Sequence, residues 1–418
     1  MGAFMLSPES NRDVLAQEPW LSIIGLGEDG VAGLGEAARN ALSKASHVFG
    51  GQRHLALAAP LIEGASHPWP VPFDAGMSDV LALKGKAVAV LASGDPFFHG
   101  VGATLARKLA PHEFVSFPAP SAFSLAAGRL GWPLQDAQYL SVHGRPLDLL
   151  RPYLHPGAKI IALTSDAHGP EAIAALLQSC GFGASRLTVL EALGGPDERI
   201  QSCVASACNL LPVHPLNVVA IEVAADEAAR ILPFGFGLAD DLFEHDGQIT
   251  KREIRALTLS ALSPCHGELL WDIGAGSGSI GIEWMLAHRS LAAIAIEKNS
   301  ERIARIKRNA EAFGVPGLRI VEGEAPASLA ALPTPDAIFI GGGGSGDGVV
   351  EAAMAALRSG GRLVANAVTL EMDAVLLAAQ ARHGGTLTRI EVARAAPVGT
   401  MTGWRPAMPV TQWAWVKP

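Results

Sequence analysis

Apolar positions along the chain follow two rhythms. Short runs at Leu21–Ile24, Ala87–Ala92, Lys159–Leu163, Leu187–Leu190 and Asn217–Val223 predict strands in the first half. Leu269–Ile273, Ala292–Ile296, Leu318–Val321, Pro335–Ile340, Arg362–Val368, Leu387–Ala393 and Gln412–Val416 predict seven more. Between them, Leu125–Leu130, Ile280–His288, Asn299–Phe313 and Val349–Leu357 repeat apolar residues at helical spacing. Strand alternating with helix predicts an α/β fold throughout. A chain of 418 residues exceeds one ordinary core, so two domains are expected. The glycine-rich stretch Pro233–Asp241 marks the break. The predicted division is a tail at 1–17, a first domain at 18–233, a linker at 234–245 docked through Phe234 and Phe236, and a second domain at 246–418.

The sharpest local pattern is Leu269–Gly281. An apolar strand ends in Asp272 and Ile273; Gly274, Gly276 and Gly278 follow, and a helix begins. Glycines let backbone turn sharply and approach a ligand closely. Gly276–Gly281 satisfies G-x-G-x-x-G, which taken alone suggests a dinucleotide. The register D-x-G-x-G-x-G argues otherwise. A carboxylate beside the turn suits a ligand with a cationic amino group and no pyrophosphate, such as S-adenosylmethionine. Glu297 closes the next strand, where an acid can accept hydrogen bonds from both ribose hydroxyls.

The first half carries its own turns. Gly25-Leu-Gly27 follows the first strand. Ser93-Gly94-Asp95-Pro96-Phe97-Phe98 closes another, forming a rigid turn over a sheet edge, where α/β proteins bind ligands. Ser121 precedes Ala122 and a helix, and fits an N-cap. His143 and Arg145 end a further strand with two cationic groups. Past the linker, Thr250 and Glu253 form a T-x-x-E capping box. Lys251, Arg252 and Arg255 set positive charge in that helix's first turns, against its dipole. A bound anion would account for them.

Composition narrows the function. Hydrophobic residues make up 49% and charged residues 17%, so the chain is globular. Residues 1–245 hold 15 Lys+Arg against 24 Asp+Glu, net −9; residues 246–418 hold 17 against 16, net +1. Neither half has a basic run, which argues against nucleic acid. No apolar run reaches the ~18 residues of a membrane span. Cys180, Cys203, Cys208 and Cys265 lack metal-ligand spacing and read as reduced, mostly buried thiols of a cytoplasmic protein.

Gly-Leu-Gly, Ser-Gly-Asp-Pro and the Pro-Ser-Ala turn resemble the tetrapyrrole methylases, class III S-adenosylmethionine enzymes with two α/β subdomains. Leu130-Gly-Trp-Pro133 followed by Ser-Val-His-Gly-Arg resembles their branch acting on carbon 5 of the corrin ring. Glu28 departs from the proline many relatives carry there. The second half resembles the seven-stranded, Rossmann-like class I methyltransferases, whose last strand is antiparallel. Within them it is similar to the corrin-pathway enzymes that methylate carbon 15 and decarboxylate the carbon-12 acetate. Thr-Lys-Arg-Glu-Ile-Arg, Trp-Asp-Ile-Gly-Ala-Gly-Ser-Gly, Glu-Gly-Glu-Ala-Pro, Phe-Ile-Gly-Gly and Val-Ala-Asn-Ala-Val-Thr-Leu-Glu carry this resemblance.

The resemblances imply one S-adenosylmethionine per domain and precorrin-6B, a polycarboxylate tetrapyrrole, as substrate. The implied first-domain cofactor residues are Gly25, Gly27, Gly94, Asp95, Phe98, Ser121 and Ala122. Those of the second are Thr250, Asp272, Gly274, Ala275, Gly276, Ser277, Gly278, Glu297, Glu324, Ala325 and Gly341. His143, Arg145, Lys251, Arg252 and Arg255 are the expected substrate anchors. No metal, no covalent enzyme intermediate and a homo-oligomer (dimer or tetramer) are expected; no side chain stands out as a catalytic acid or base. The competing readings are a NAD-dependent oxidoreductase with two Rossmann domains and a cobalt-precorrin methyltransferase of the anaerobic route.

Overall fold

The computed structural model describes residues 19–418 except 71, 72 and 211. The expected tail at 1–17 lies outside the described residues. The described chain divides into two compact units, one reaching residue 147 and resuming at 155–229, the other comprising 148–154 and 230–418.

The first unit holds two five-stranded sheets. β1 (Leu21–Leu26), β2 (His47–Gly50), β3 (Ala65–Pro68), β4 (Val88–Ser93) and β5 (Phe114–Phe117) form an all-parallel sheet in the order β3-β2-β4-β1-β5. The buried run of β4 shows why: a parallel sheet covered on both faces selects continuous apolar strands. β6 (Ala137–Ser141), β7 (Lys159–Leu163), β8 (Arg186–Glu191), β9 (Arg199–Val204) and β10 (Asn217–Glu222) form the second sheet, ordered β6-β7-β10-β8-β9. Only the β6–β7 pair is parallel there. These are the two expected subdomains. The edge strands β3 and β9 escape the apolar-run criterion because most of their residues are exposed.

The cysteine expectation needs correction. Cys203, on β9, is bonded to Cys208; the turn Ala205–Ala207 brings their Cα atoms to 5.1 Å, within disulfide reach. Cys180, buried, and Cys265, exposed, are outside any disulfide.

In the second unit, β11 (Leu269–Ile273), β12 (Ala292–Glu297), β13 (Arg319–Glu322), β14 (Ala337–Ile340), β15 (Arg362–Ala367), β16 (Thr386–Ile390) and β19 (Val410–Val416) form one sheet. Its order is β13-β12-β11-β14-β15-β19-β16, with β19 antiparallel to both neighbours. The sheet has the expected seven strands. A separate hairpin, β17 (Ala393–Val398) and β18 (Met401–Pro406), was not expected. Its residues are mostly exposed, with Met401 and Trp404 about three-quarters so, and no buried face marks it in the sequence.

The stretch expected as a linker is built into this unit. Leu238 and Phe243 are buried in its core beside Leu259 and Phe313, while Phe234 is 88% exposed. Leu238 and Phe243 therefore anchor it to the core. The expected capping box is also absent. The helix runs Arg252–Leu262, its N-cap position is Lys251, and no side chain caps it. Glu253 instead pairs with Arg394 of the hairpin.

Candidate functional site

In the second unit, the loops after β11, β12 and β14 meet at the carboxyl edge of the sheet. Gly274 N and Ala275 N both donate to Ile296 O, at 2.9 and 3.1 Å. Gly274, Gly276 and Gly278 all have positive φ, and Gly278 leads into the helix Ser279–Ala287. A Cβ on Gly276 would lie 3.5 Å from its nearest neighbour, Gln248 O, so space remains above the turn. That space is a cavity of about 690 Å³.

Among the expected residues, Thr250, Lys251, Gly274, Ala275, Gly276, Glu297, Glu324, Ala325 and Gly341 line the cavity. Glu297 is nearly buried and well held. Its Oε2 accepts from Gly276 N at 2.9 Å, and its Oε1 from Lys298 N and Asn299 N, both at 3.0 Å. One carboxylate thus braces the glycine turn from the end of the neighbouring strand.

Five expected residues stand outside the lining. Asp272 lies beneath the turn, 1% exposed, with Oδ2 accepting from Gly281 N at 3.0 Å and Oδ1 without a partner. Burial, with a further push from the Glu297 charge, raises its pKa to about 7 against the Gly281 bond. Its hydrogen bond is structural, tying β11 to the following helix. Ser277 is buried, Gly278 is the helix N-cap, and Arg252 points its charge to solvent.

Arg255 needs a plain correction. It is fully buried, bonded to Glu283 at 2.5 Å, Asp240 at 3.1 Å, and the carbonyls of Thr250 and Leu238. Glu283 also accepts from Gly237 N and Leu238 N. The Arg255 charge clamps residues 237–240 to the core and is not available to a ligand. Its partner lies 28 residues on, which is why local spacing misread it.

The sequence reading missed Lys298, Arg302, Asn366 and Arg394, all of which line the cavity. Lys298 pairs with Glu324 at 2.7 Å, and Arg302 with Asp246 at 2.9 Å. Val368, Val392 and Val410 add an apolar wall. Nothing in the local sequence marks Arg394, because its hairpin has no buried periodicity.

In the first unit, β4, β1 and β5 are adjacent, and the end of β1 meets the loops after β4 and β5. A Cβ on Gly25 would fall 1.9 Å from Gly94 O and 2.6 Å from Ala119 N. Ala119 N already donates to Gly94 O at 3.3 Å. Asp95 Oδ1 accepts from Phe97 N at 2.8 Å, fixing the turn. Phe98 packs against Phe123 at 4.8 Å and Tyr139 at 6.0 Å. Ser121 caps the helix Ala122–Leu130 through Ser124 N at 3.1 Å, as expected. Gly27 O accepts from Gly30 N at 3.1 Å, closing the first turn.

The structure therefore joins Gly25, Gly94 and the Ser121 turn at one edge. His143 and Arg145 are exposed and follow β6, in the other sheet; His143 Nδ1 bonds Thr164 O at 3.0 Å. A polar cluster beside the β4 end went unforeseen. His54 Nε2 and Arg53 Nη2 lie 2.8 and 3.0 Å from Ser93 Oγ, and Arg53 pairs with Glu28. Burial, then the Arg53 charge, pushes His54 down to about 4, so its ring is neutral at pH 7.

Two α/β units, each gathering glycine turns at the carboxyl ends of parallel strands, define a two-domain methyltransferase. The family model for Tetrapyrrole (Corrin/Porphyrin) Methylases matches residues 21–208, and that for the Precorrin methyltransferase domain matches 241–417. A precorrin-6Y C(5,15)-methyltransferase [decarboxylating] from Sinorhizobium sp is 65% identical over 98% of this chain and 99% of its own. One of the same name from Mycobacterium tuberculosis is 41% identical over 94% of this chain and 99% of its own. The crystal structure of the C-terminal domain of precorrin-6Y C5,15-methyltransferase from Rhodobacter capsulatus is 49% identical, covering 44% of this chain and 100% of its own, with a TM-score of 0.43. The chain belongs to the family of decarboxylating precorrin-6Y C(5,15)-methyltransferases.

Proposed function

We propose that this chain methylates carbons 5 and 15 of precorrin-6B from S-adenosylmethionine and releases the carboxyl of the carbon-12 acetate as carbon dioxide. The observation that carries the reading is the second-unit cavity, with a Glu297-braced glycine turn on one side and cationic and apolar groups on the other. These residues fit the cofactor. Backbone around Gly276 leaves room, and a Cβ on Gly343 would meet nothing within 4 Å. In this reading Glu297, in the cavity lining, accepts from the ribose hydroxyls.

The cofactor supplies a methyl group already activated by its sulfonium. The chain's work is to hold a nucleophilic ring carbon in line with it and exclude water, which can lower such a barrier by ~7–11 kcal/mol. Gly274, Ala275, Gly276, Glu297, Glu324, Ala325, Gly341 and Thr250 form the second cofactor site in this reading. Lys251, with Arg394 and Arg302, holds peripheral carboxylates. Val368, Val392 and Val410 keep the departing carboxylate dry, and the electron pair of the broken carbon–carbon bond enters the conjugated ring. The first unit methylates carbon 5 at the edge built by Gly25, Gly27, Gly94, Asp95, Phe98, Ser121 and Ala122, with His143 and Arg145 as carboxylate anchors.

The test is incubation of the full chain with precorrin-6B and S-adenosylmethionine, following product mass and methyl position by NMR. Gain of two methyl groups with loss of carbon dioxide supports the reading; an unmodified ring sinks it. A homo-oligomer, dimer or tetramer, belongs to the same reading, supported by the exposed apolar residues Met401 and Trp404, and sedimentation decides it. So does a cytoplasmic location; among the described residues no helix is long and apolar enough to cross a membrane.

A further inference from the structure

Behind the cavity-lining Asn366 lies a buried polar network of the second unit. Thr258, on the helix Arg252–Leu262, is fully buried, and Gln412, on β19, is 6% exposed. Asn366, directly across from Gln412 in the β15–β19 pairing, completes it. Asn366 Nδ2 donates to Thr258 Oγ1 at 2.9 Å. Gln412 Nε2 donates to Thr258 Oγ1 at 3.1 Å and to Asn366 Oδ1 at 3.0 Å. The surroundings are apolar: Leu259, Leu262 and Val364 are fully buried core residues.

Stability does not require these groups. Replacing mutually bonded polar side chains by apolar ones of like shape is nearly neutral, whereas leaving one of them unpaired is costly. What the network does achieve is orientation. Both N–H bonds of Gln412 are engaged, so Asn366 Oδ1 must face it; a flipped amide would set donor against donor. That leaves Asn366 with one N–H outside the network. Asn366 is also the one member that lines the cavity. β15 stands two strands from β11 in the sheet, or ~10 Å from the glycine turn. Around it the wall is Val368, Val392 and Val410, with Arg394 from the hairpin. A neutral amide N–H, held in one orientation beside valines and Arg394 in the cavity lining, suits an anionic oxygen at the rim of a flat conjugated ring.

We propose that Asn366 binds a carboxylate of the tetrapyrrole in the second-unit reaction, and that Thr258 and Gln412 are the positioning residues that aim its N–H. This rests on the function proposed above. The test uses the full chain, reading carbon dioxide release against precorrin-6B concentration, cofactor affinity by calorimetry, and carbon-5 methylation as an internal control. Asn366→Asp replaces the donor by a like charge and should raise KM for decarboxylation on the order of 10- to 100-fold. Cofactor affinity and carbon-5 methylation should hold. Thr258→Val, which keeps shape and removes the hydroxyl, should raise KM less, and should add nothing on top of Asn366→Asp.

An unchanged KM in both variants, with melting behaviour preserved, overturns the proposal. So does a loss of cofactor affinity with KM intact, which would move Asn366 to the cofactor's side. If Asn366→Asp does not fold, Thr258→Val decides alone. A wild-type chain that releases no carbon dioxide would instead refute the proposed function.

Discussion

Gly25 is the penultimate residue of β1 and Gly276 lies in the turn after β11, and an added methyl group would meet different things at the two. At Gly25 it would collide with the Gly94 carbonyl, 1.9 Å away. At Gly276 it would meet only Gln248 O at 3.5 Å and would otherwise enter the cavity. The first glycine is needed because the loops after β4 and β5 close on the end of β1. The second is needed for its positive φ and the room it leaves a ligand. The same residue type thus marks packing in one unit and access in the other, and a motif written as spaced glycines does not tell them apart.

The largest effect should come from Gly25→Val. Backbone cannot yield there, so the first unit should lose its native edge and all carbon-5 methylation, while decarboxylation persists. Gly276→Ala should keep both units folded, destabilise by about 1 kcal/mol because of its φ, and weaken cofactor binding in the second unit only. Folding monitored by near-UV circular dichroism, with each product assayed separately, checks the pair; equal outcomes for the two variants would erase the distinction.

Next is Arg255→Met, which strands Glu283 in the core and should destabilise the second unit by ~3–5 kcal/mol. Adding Glu283→Leu should recover much of that loss in urea unfolding. If Arg255→Met instead raises only KM for the ring substrate, Arg255 reaches the ligand after all.

Asp272 predicts a pH slope confined to the second unit. Below pH ~4 the folded and unfolded chains both hold its proton. As pH rises from ~4 to 7 the unfolded carboxyl ionises while the folded one, near 7, does not. Stability should therefore fall with pH across that window, by about 4 kcal/mol at most, and level off above it. Asp272→Asn keeps an acceptor for Gly281 N and should flatten the slope. An identical slope in wild type and variant would show that other groups carry it.

Last comes Glu297→Ala. Loss of its acceptors for Gly276, Lys298 and Asn299 should weaken cofactor binding in the second unit by ~1–3 kcal/mol. First-unit methylation should be untouched, and calorimetry separates the two sites.

What was legible in the sequence was local. Strand, turn and helix from Leu269 onward, the Ser121 cap and the acid at Glu297 are each set by neighbours within a few residues, and the structure shows them as read. What was not legible depends on partners far apart. Arg255 meets Glu283, Asn366 meets Thr258 across 108 residues, and Gln412 meets Thr258 across 154. Charge at a helix start suggested a ligand where the fold had supplied a buried carboxylate. The hairpin at 393–406 was missed for a different reason: with both faces largely exposed it carries no alternation to read.

The position of β19 bears on how the chain is made. Strands β1 to β10 of the first unit are all present once Glu222 has been synthesised, so that unit can close while translation continues. The second unit cannot. β19 follows every other strand of its sheet in the sequence, yet it lies between β15 and β16, and it brings Trp413 and Gln412 into the interior. Until Val416 has left the ribosome, β15 and β16 each present an unpaired edge. At roughly 5–20 residues per second, the interval after Glu222 is on the order of ten seconds or more. For that time one half of the molecule is finished, while the sheet of the other still lacks its penultimate strand.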